Sequence, residues 1–219
     1  MKLHFVSLNK PWTEEIQKLF PGIKITCGEV QKIPRSKTIF VSPANSLGFM
    51  DGGIDYALSR EMFPGLQTKV QHKIKELGLC TGLGRHYLPI GQALTIDVGD
   101  SAVVVAPTMF LPHNVSETQN AYWSFLAALA AAKKTHPDWT LVVTSHCCGY
   151  GKMAPVESAK QMRLAWDHFS CGKLPEDSSK LKEWIGFPAH DDDQPDNYDN
   201  REIKEHKIIT LQTSSPMNK

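Results

Sequence analysis

No stretch of the 219-residue sequence approaches the roughly 18 consecutive apolar residues that a membrane-spanning helix needs, so no membrane partner is expected. There is no excess of charge of one sign either. Lys and Arg number 24, Asp and Glu 23, and the formal net charge is +1. That balance offers no electrostatic footprint for wrapping DNA, so no sequence-specific nucleic-acid partner is expected. An anionic ligand would have to be held by local geometry. The opening run, Met1-Lys2-Leu3-His4-Phe5-Val6-Ser7-Leu8, turns polar too soon for a signal peptide and reads as a first strand. Cysteine is scarce: Cys27, Cys80, Cys147, Cys148 and Cys171 are odd in number and lack framework spacing. The expected setting is reduced and cytoplasmic, with the nucleus compatible. No His or Cys spacing suggests metal ligands, so neither a metal nor a cofactor is expected. Internal repeats are lacking too, and the sequon Asn114-Val115-Ser116 is not expected to be glycosylated.

What is present alternates. Segments rich in Val, Ile, Leu, Phe or Thr and bounded by Gly, Pro, Asp or Asn fall at 3–8, 23–30, 38–45, 92–98, 101–107 and 140–146. Helical patterns fall at 12–20, which stops at Pro21-Gly22, then at 54–63, 66–77, 118–134 and 154–169. Strands alternating with helices predict an α/β fold: a three-layer α/β/α sandwich with a mixed central sheet. Residues 1–172 make the expected domain. Residues 173–219 read as a C-terminal extension, partly irregular and acidic, able to pack back on it. Within it, 181–185 reads as a helical turn or two, Asp191-Asp192-Asp193 opens a solvated connection, and 208–211 reads as an edge strand or a tail segment.

The most informative stretch follows the third strand: Ser42-Pro43-Ala44-Asn45-Ser46-Leu47-Gly48-Phe49-Met50-Asp51-Gly52-Gly53-Ile54-Asp55. A small-residue loop leads through a glycine pair into a helix, with one amide and two carboxylates at its edges. Glycines let backbone approach a ligand, and unpaired N–H groups at a helix start favour anions. A second loop of the same form, Cys147-Cys148-Gly149-Tyr150-Gly151-Lys152-Met153, follows the strand at Leu141-Val142-Val143. If the two strands are neighbours, the loops can hold a diphosphate between them. Thr81-Gly82-Leu83-Gly84 looks similar but has no helix after it and reads as a connection.

With Gly28-Glu29-Val30, these loops resemble the macrodomain family, whose usual pattern is Gly-Asp-Ile, then Asn-Ala-Ala-Asn, then Gly-Gly-Gly-Val-Asp, then a glycine-rich phosphate loop. The likeness spans roughly residues 3–170. It implies a macrodomain-like fold that binds ADP-ribose or an ADP-ribosylated substrate. Hydrolysis of ADP-ribosyl adducts, ADP-ribosylated Asp/Glu or O-acetyl-ADP-ribose, is the leading activity. A non-catalytic reader and an ADP-ribose 1″-phosphate phosphatase remain alternatives.

The resemblance also implies roles. Glu29 stands where the family has an acid that accepts from the adenine amino group, with Val30 beside it. Asn45 would orient the distal ribose, with Ala44 next to it. Asp55 would handle water at the anomeric carbon. Gly52, Gly53 and Ile54 would wrap one side of the diphosphate, and Cys148, Gly149, Tyr150 and Gly151 the other. Ser42 departs from the pattern by replacing its first Asn, Asp51 by replacing a glycine, and Cys148 by replacing a hydroxyl residue. Plainer readings stand beside these. Asp55 also fits a first-turn helix acid, Asn45 a turn residue and Glu29 a surface acid. The Cys147-Cys148 pair suits a tight loop, His146 a packed core, and Lys152 either solvent or a phosphate.

Overall fold

A computed structural model of the chain describes residues 1–172; the expectations for 181–185, 191–199 and 208–211 lie outside them. Six strands form one sheet: β1 Lys2–Ser7, β2 Lys24–Cys27, β3 Thr38–Ser42, β4 Leu94–Val98, β5 Ser101–Val105 and β6 Thr140–Val143. Their order is β2-β1-β6-β3-β5-β4. All neighbours run parallel except β4, which pairs antiparallel with β5. The helices are α1 Lys10–Leu19, α2 Gly53–Tyr56, α3 Leu66–Glu76, α4 Asn120–Thr135 and α5 Pro155–Cys171.

The inner strands β1, β6, β3 and β5 are buried on both sides, and their alternation assigns each residue to a layer. Phe5, Ile39, Val41, Val104, Leu141 and Val143 face α1, α4 and α5. Val6, Phe40, Val103, Val105 and Val142 face the second layer, with Leu58, Leu66, Val70 and Ile74. The first layer carries the larger aromatics. Phe5 packs against Trp12, Phe20 and Phe125 with ring centroids 4.7–6.1 Å apart. Tyr122 and Phe125 of the Ala-rich α4 are wholly buried. The architecture is therefore the predicted mixed-sheet sandwich.

Two local departures from the sequence pattern matter. The expected helix over 54–63 is a single α turn, α2, continued as a π-helical turn, Ala57–Met62. The wider turn lets Ala57, Leu58, Ser59 and Met62 all reach the interior, and the Ser59 hydroxyl donates to the Met50 carbonyl at 2.7 Å. Such turns commonly accompany functional sites. The second strand stops at Cys27. Gly28 donates to the Ser7 carbonyl, and the chain then turns at Val30–Lys32, burying Val30 and leaving Glu29 exposed. No described helix is long and apolar enough to cross a membrane.

Candidate functional site

The parallel strands bring their carboxyl ends to one edge of the sheet. There, β1 leads to α1 on one face and β3 leads to α2 on the other, so a crevice opens where the connections diverge. Strand β6 lies between β1 and β3 and pairs directly with both. The Ser42–Asp55 loop and the Cys147–Met153 loop therefore leave adjacent strands. A cavity of about 520 Å³ sits at this edge. Its walls include Glu29, Val30, Ala44, Asn45, Gly52, Gly53, Ile54 and Asp55, together with Cys148, Gly149, Tyr150 and Gly151. Every residue to which the family resemblance gives a catalytic or ligand-binding role thus lines one space, with Asp51 among them, while Ser42, His146 and Lys152 do not.

Both loops present backbone N–H groups. The amides of Asp51, Gly52, Gly53 and Ile54 have no carbonyl partner, while Asp55 and Tyr56 both donate to the Gly52 carbonyl. In the second loop, Lys152 donates to Gly149 and Met153 to Cys147, leaving the amides from Cys148 to Gly151 without a carbonyl partner. Glycine is required at two points for different reasons. Gly53 has φ +54°, a left-handed conformation that a side chain would strain. At Gly151 a Cβ would lie 2.5 Å from the Cys147 carbonyl oxygen and 2.7 Å from a Val115 methyl. The loops approach each other across the cavity: a Cβ on Gly52 would lie 3.6 Å from the Tyr150 ring. Strain is also stored at Cys147, a non-glycine residue at φ +62°.

The side chains divide into loop-building and outward-facing groups. Asn45 is buried, and its amide organises its own loop. Oδ1 accepts from the Leu47 and Phe49 amides at 3.1 and 3.3 Å, and Nδ2 donates to the Phe49 carbonyl at 2.8 Å. One Nδ2 hydrogen is left over. Asp55 accepts a 2.6 Å hydrogen bond on Oδ1 from the wholly buried Ser42 hydroxyl. Burial pushes its carboxyl up to about 7; the Ser42 hydrogen bond pulls the other way, and the negative charge of Asp51 adds a smaller upward push. Glu29 stands at the rim and pairs with Lys32 at 2.9 Å.

The electrostatics are unusual for an anion site. Glu29, Asp51, Asp55 and Glu61 all line the cavity, and among the described residues no lysine, arginine or histidine does. Lys152 lies outside the lining. Among the described residues only backbone N–H groups and neutral donors are available to an anion here. Burial raises the Cys147 thiol to about 12 and also raises Cys148, so neither is a thiolate nucleophile at neutral pH. His146 is fully buried; Nδ1 lies 2.9 Å from the Thr144 carbonyl, and burial lowers the ring to about 4. It stays neutral and packs edge-on against Phe125. Thr81-Gly82-Leu83-Gly84 forms a turn away from the cavity, closed by the bond from the Gly84 amide to the Thr81 carbonyl. Among the described residues no group of three or more His, Cys, Asp or Glu is placed to hold a metal ion.

Several wall residues escaped the sequence reading. Ser7 ends β1 and Asn9 lies beyond it, Ser145 follows β6, and the Ser7 and Ser145 hydroxyls meet at 3.1 Å. Thr108, Met109 and Pro112 come from the loop after β5. Phe49 forms part of the wall and is backed by the Arg85 guanidinium 5.5 Å from its ring centre. The carboxyl-end rule would have found the residues after β1 and β6. Nothing in the sequence signals Phe49.

No family model matches this sequence, and no curated protein matches it. Solved structures do share the fold. The macrodomain of Mycobacterium tuberculosis DarG is 15% identical, with 65% of this chain and 88% of that chain covered, at a TM-score of 0.51. An Oceanobacillus iheyensis macrodomain with MES bound is 16% identical, covering 73% of this chain and 88% of that one, at a TM-score of 0.52. A mutant of the Oceanobacillus iheyensis macrodomain with ADPR is 14% identical, covering 73% and 89%, also at 0.52. The chain has the macrodomain fold.

Proposed function

We propose that this macrodomain-fold chain binds ADP-ribose in the cavity and hydrolyses ADP-ribosyl adducts in which the sugar is linked to a carboxyl group, ADP-ribosylated Asp/Glu or O-acetyl-ADP-ribose. The observation that carries the reading is the pairing of two loops on adjacent parallel strands. Both offer unpaired amides to one cavity, and Asp55 stands at its wall. A neighbour of the same fold with ADPR supports the ligand class.

In this reading the diphosphate lies between Gly52–Ile54 and Cys148–Gly151, held by backbone N–H groups in place of cationic side chains. Glu29 accepts from the adenine amino group beside Val30. Ala44 lets the distal ribose approach, and Asn45 gives it the remaining Nδ2 hydrogen. Asp55 takes a proton from water as the water adds to the anomeric carbon. The bond from that carbon to the leaving carboxylate breaks through a cation-like transition state, which the negative charges of Asp55 and Asp51 stabilise. A carboxyl poised at about 7 is ionised to a substantial fraction at neutral pH and still basic enough to accept a proton.

A reader that binds without turnover is the second reading. It is favoured by the engagement of the Asn45 amide within its own loop. Turnover of an ADP-ribosylated acidic peptide by wild type and Asp55→Ala, alongside calorimetry with ADP-ribose, separates the two. Loss of turnover with retained binding is expected in the variant. Equal turnover by both proteins would sink the role of Asp55, and binding without wild-type turnover selects the reader.

A further inference from the structure

Asp55 is the group on which the hydrolytic reading turns, and one of its oxygens is already engaged. Ser42, the last residue of β3, is wholly buried, and its hydroxyl donates to Oδ1 at 2.6 Å. Among the described residues Oδ2 has no partner, and it is not among the sealed-off polar atoms. The two ends of this contact differ in rigidity. Ser42 is fixed by the sheet: it pairs with Val105, and its carbonyl accepts from the Ala106 amide at 3.0 Å. Asp55 sits on a single α turn that widens at once into a π-helical turn.

We propose that Ser42 is a positioning residue for the reaction: it anchors Oδ1 of Asp55 to the central sheet, so that Oδ2 alone is left to meet water in the cavity. The inference rests on the hydrolytic reading, which assigns Asp55 the water. The hydroxyl does two things there. It fixes the rotation of the carboxyl on a short helical segment, and it stabilises the ionised form by donating to it. The other charged groups facing the cavity are Asp51 on the same segment, Glu29 after β2 and Glu61 on the π-helical turn, all acidic. Tyr56 and Tyr150 add phenol groups to the wall, and Cys147 and Cys148 add thiols that burial pushes upward. Among the described residues no wall residue supplies a positive charge that could replace the Ser42 hydroxyl as a partner for the carboxylate.

The test is Ser42→Ala, which removes one atom, with Ser42→Thr as the variant that keeps the hydroxyl. The titration of Asp55 is followed by carboxyl-carbon NMR, and turnover of an ADP-ribosylated acidic peptide is measured from pH 5 to 9. In Ser42→Ala the Asp55 midpoint and the acidic limb of the rate profile should both move to higher pH by about one pH unit. Turnover at pH 7 should fall by roughly fivefold or more, with the ADP-ribose Kd changed less than about threefold. Ser42→Thr should restore the wild-type midpoint. An unmoved Asp55 midpoint in folded Ser42→Ala overturns the inference whatever the turnover. A shifted midpoint in a protein whose wild type turns over no ADP-ribosyl adduct supports the Ser42–Asp55 anchor and removes the hydrolytic reading.

Discussion

The desolvated carboxyl of the half-buried Asp55 should make the folded protein less stable as the pH rises, and Asp55→Asn should remove that loss. In the folded chain the group titrates at about 7, against 3.8 for the unperturbed side chain. Below 3.8 both states are protonated, and the contribution is fully present. Between 3.8 and 7 the unfolded chain has lost the proton and the folded one still holds it, so stability falls steadily. Above 7 the loss is complete. A gap of about 3 pH units at 1.36 kcal/mol each gives up to about 4 kcal/mol. Asparagine is neutral throughout and can still accept the Ser42 hydrogen bond through its carbonyl oxygen. The variant should match wild type near pH 4 and gain on it up to pH 8. At a urea slope of about 2 kcal/mol per M, the full gap is a midpoint difference of about 2 M. Urea unfolding of both proteins at pH 4.5, 6, 7 and 8 reads it directly. Parallel pH dependences would refute the reasoning, because they would mean that the Asp55 carboxyl is not paying for its burial.

Other perturbations probe separate parts of the site. Gly151→Ala forces a Cβ to within 2.5 Å of backbone and should destabilise the fold by about 1–3 kcal/mol; Gly149→Ala meets nothing within 4 Å and should change stability by less than about 0.5 kcal/mol, both read by thermal unfolding. Asp51→Asn removes an exposed charge from the wall and should tighten ADP-ribose binding by about threefold at low salt, with the gain shrinking as salt rises. Unchanged affinity in calorimetry would put the diphosphate elsewhere. His146 titrates at about 4 when folded against 6.5 unperturbed, so its contribution is intact above 6.5 and is lost as the pH falls to 4. That loss, about 3 kcal/mol, should be absent from the pH profile of His146→Leu.

The sequence carried the layers and the lengths of most elements because the period of each apolar pattern survives in a single chain. Ile39 and Val41 alternate with Phe40, and Leu66, Val70 and Ile74 recur at helical spacing. Strand order is a long-range property. That β6 inserts between β1 and β3 decides whether the two glycine loops meet, and no local signal reports it. The π-helical turn after Tyr56 was hidden for a related reason. Its extra residue is set by what Leu58, Ser59 and Met62 pack against, while the sequence pattern there fits an ordinary helix. Ser42 shows where a comparison of motifs stops. Against the family pattern it is only a departure from asparagine, and its contact with Asp55, 13 residues on, appears once the strand end and the helix turn are placed in space.

The central claim is that the cavity between the two amide loops is an ADP-ribose site. Calorimetric titration of the wild-type chain with ADP-ribose at pH 7.5 tests it most directly. The account predicts saturable binding with one ligand per chain, weakened in Gly52→Val, whose side chain would enter the gap to Tyr150. Absence of binding heat across several temperatures, with no shift in melting temperature at millimolar ligand, would contradict it.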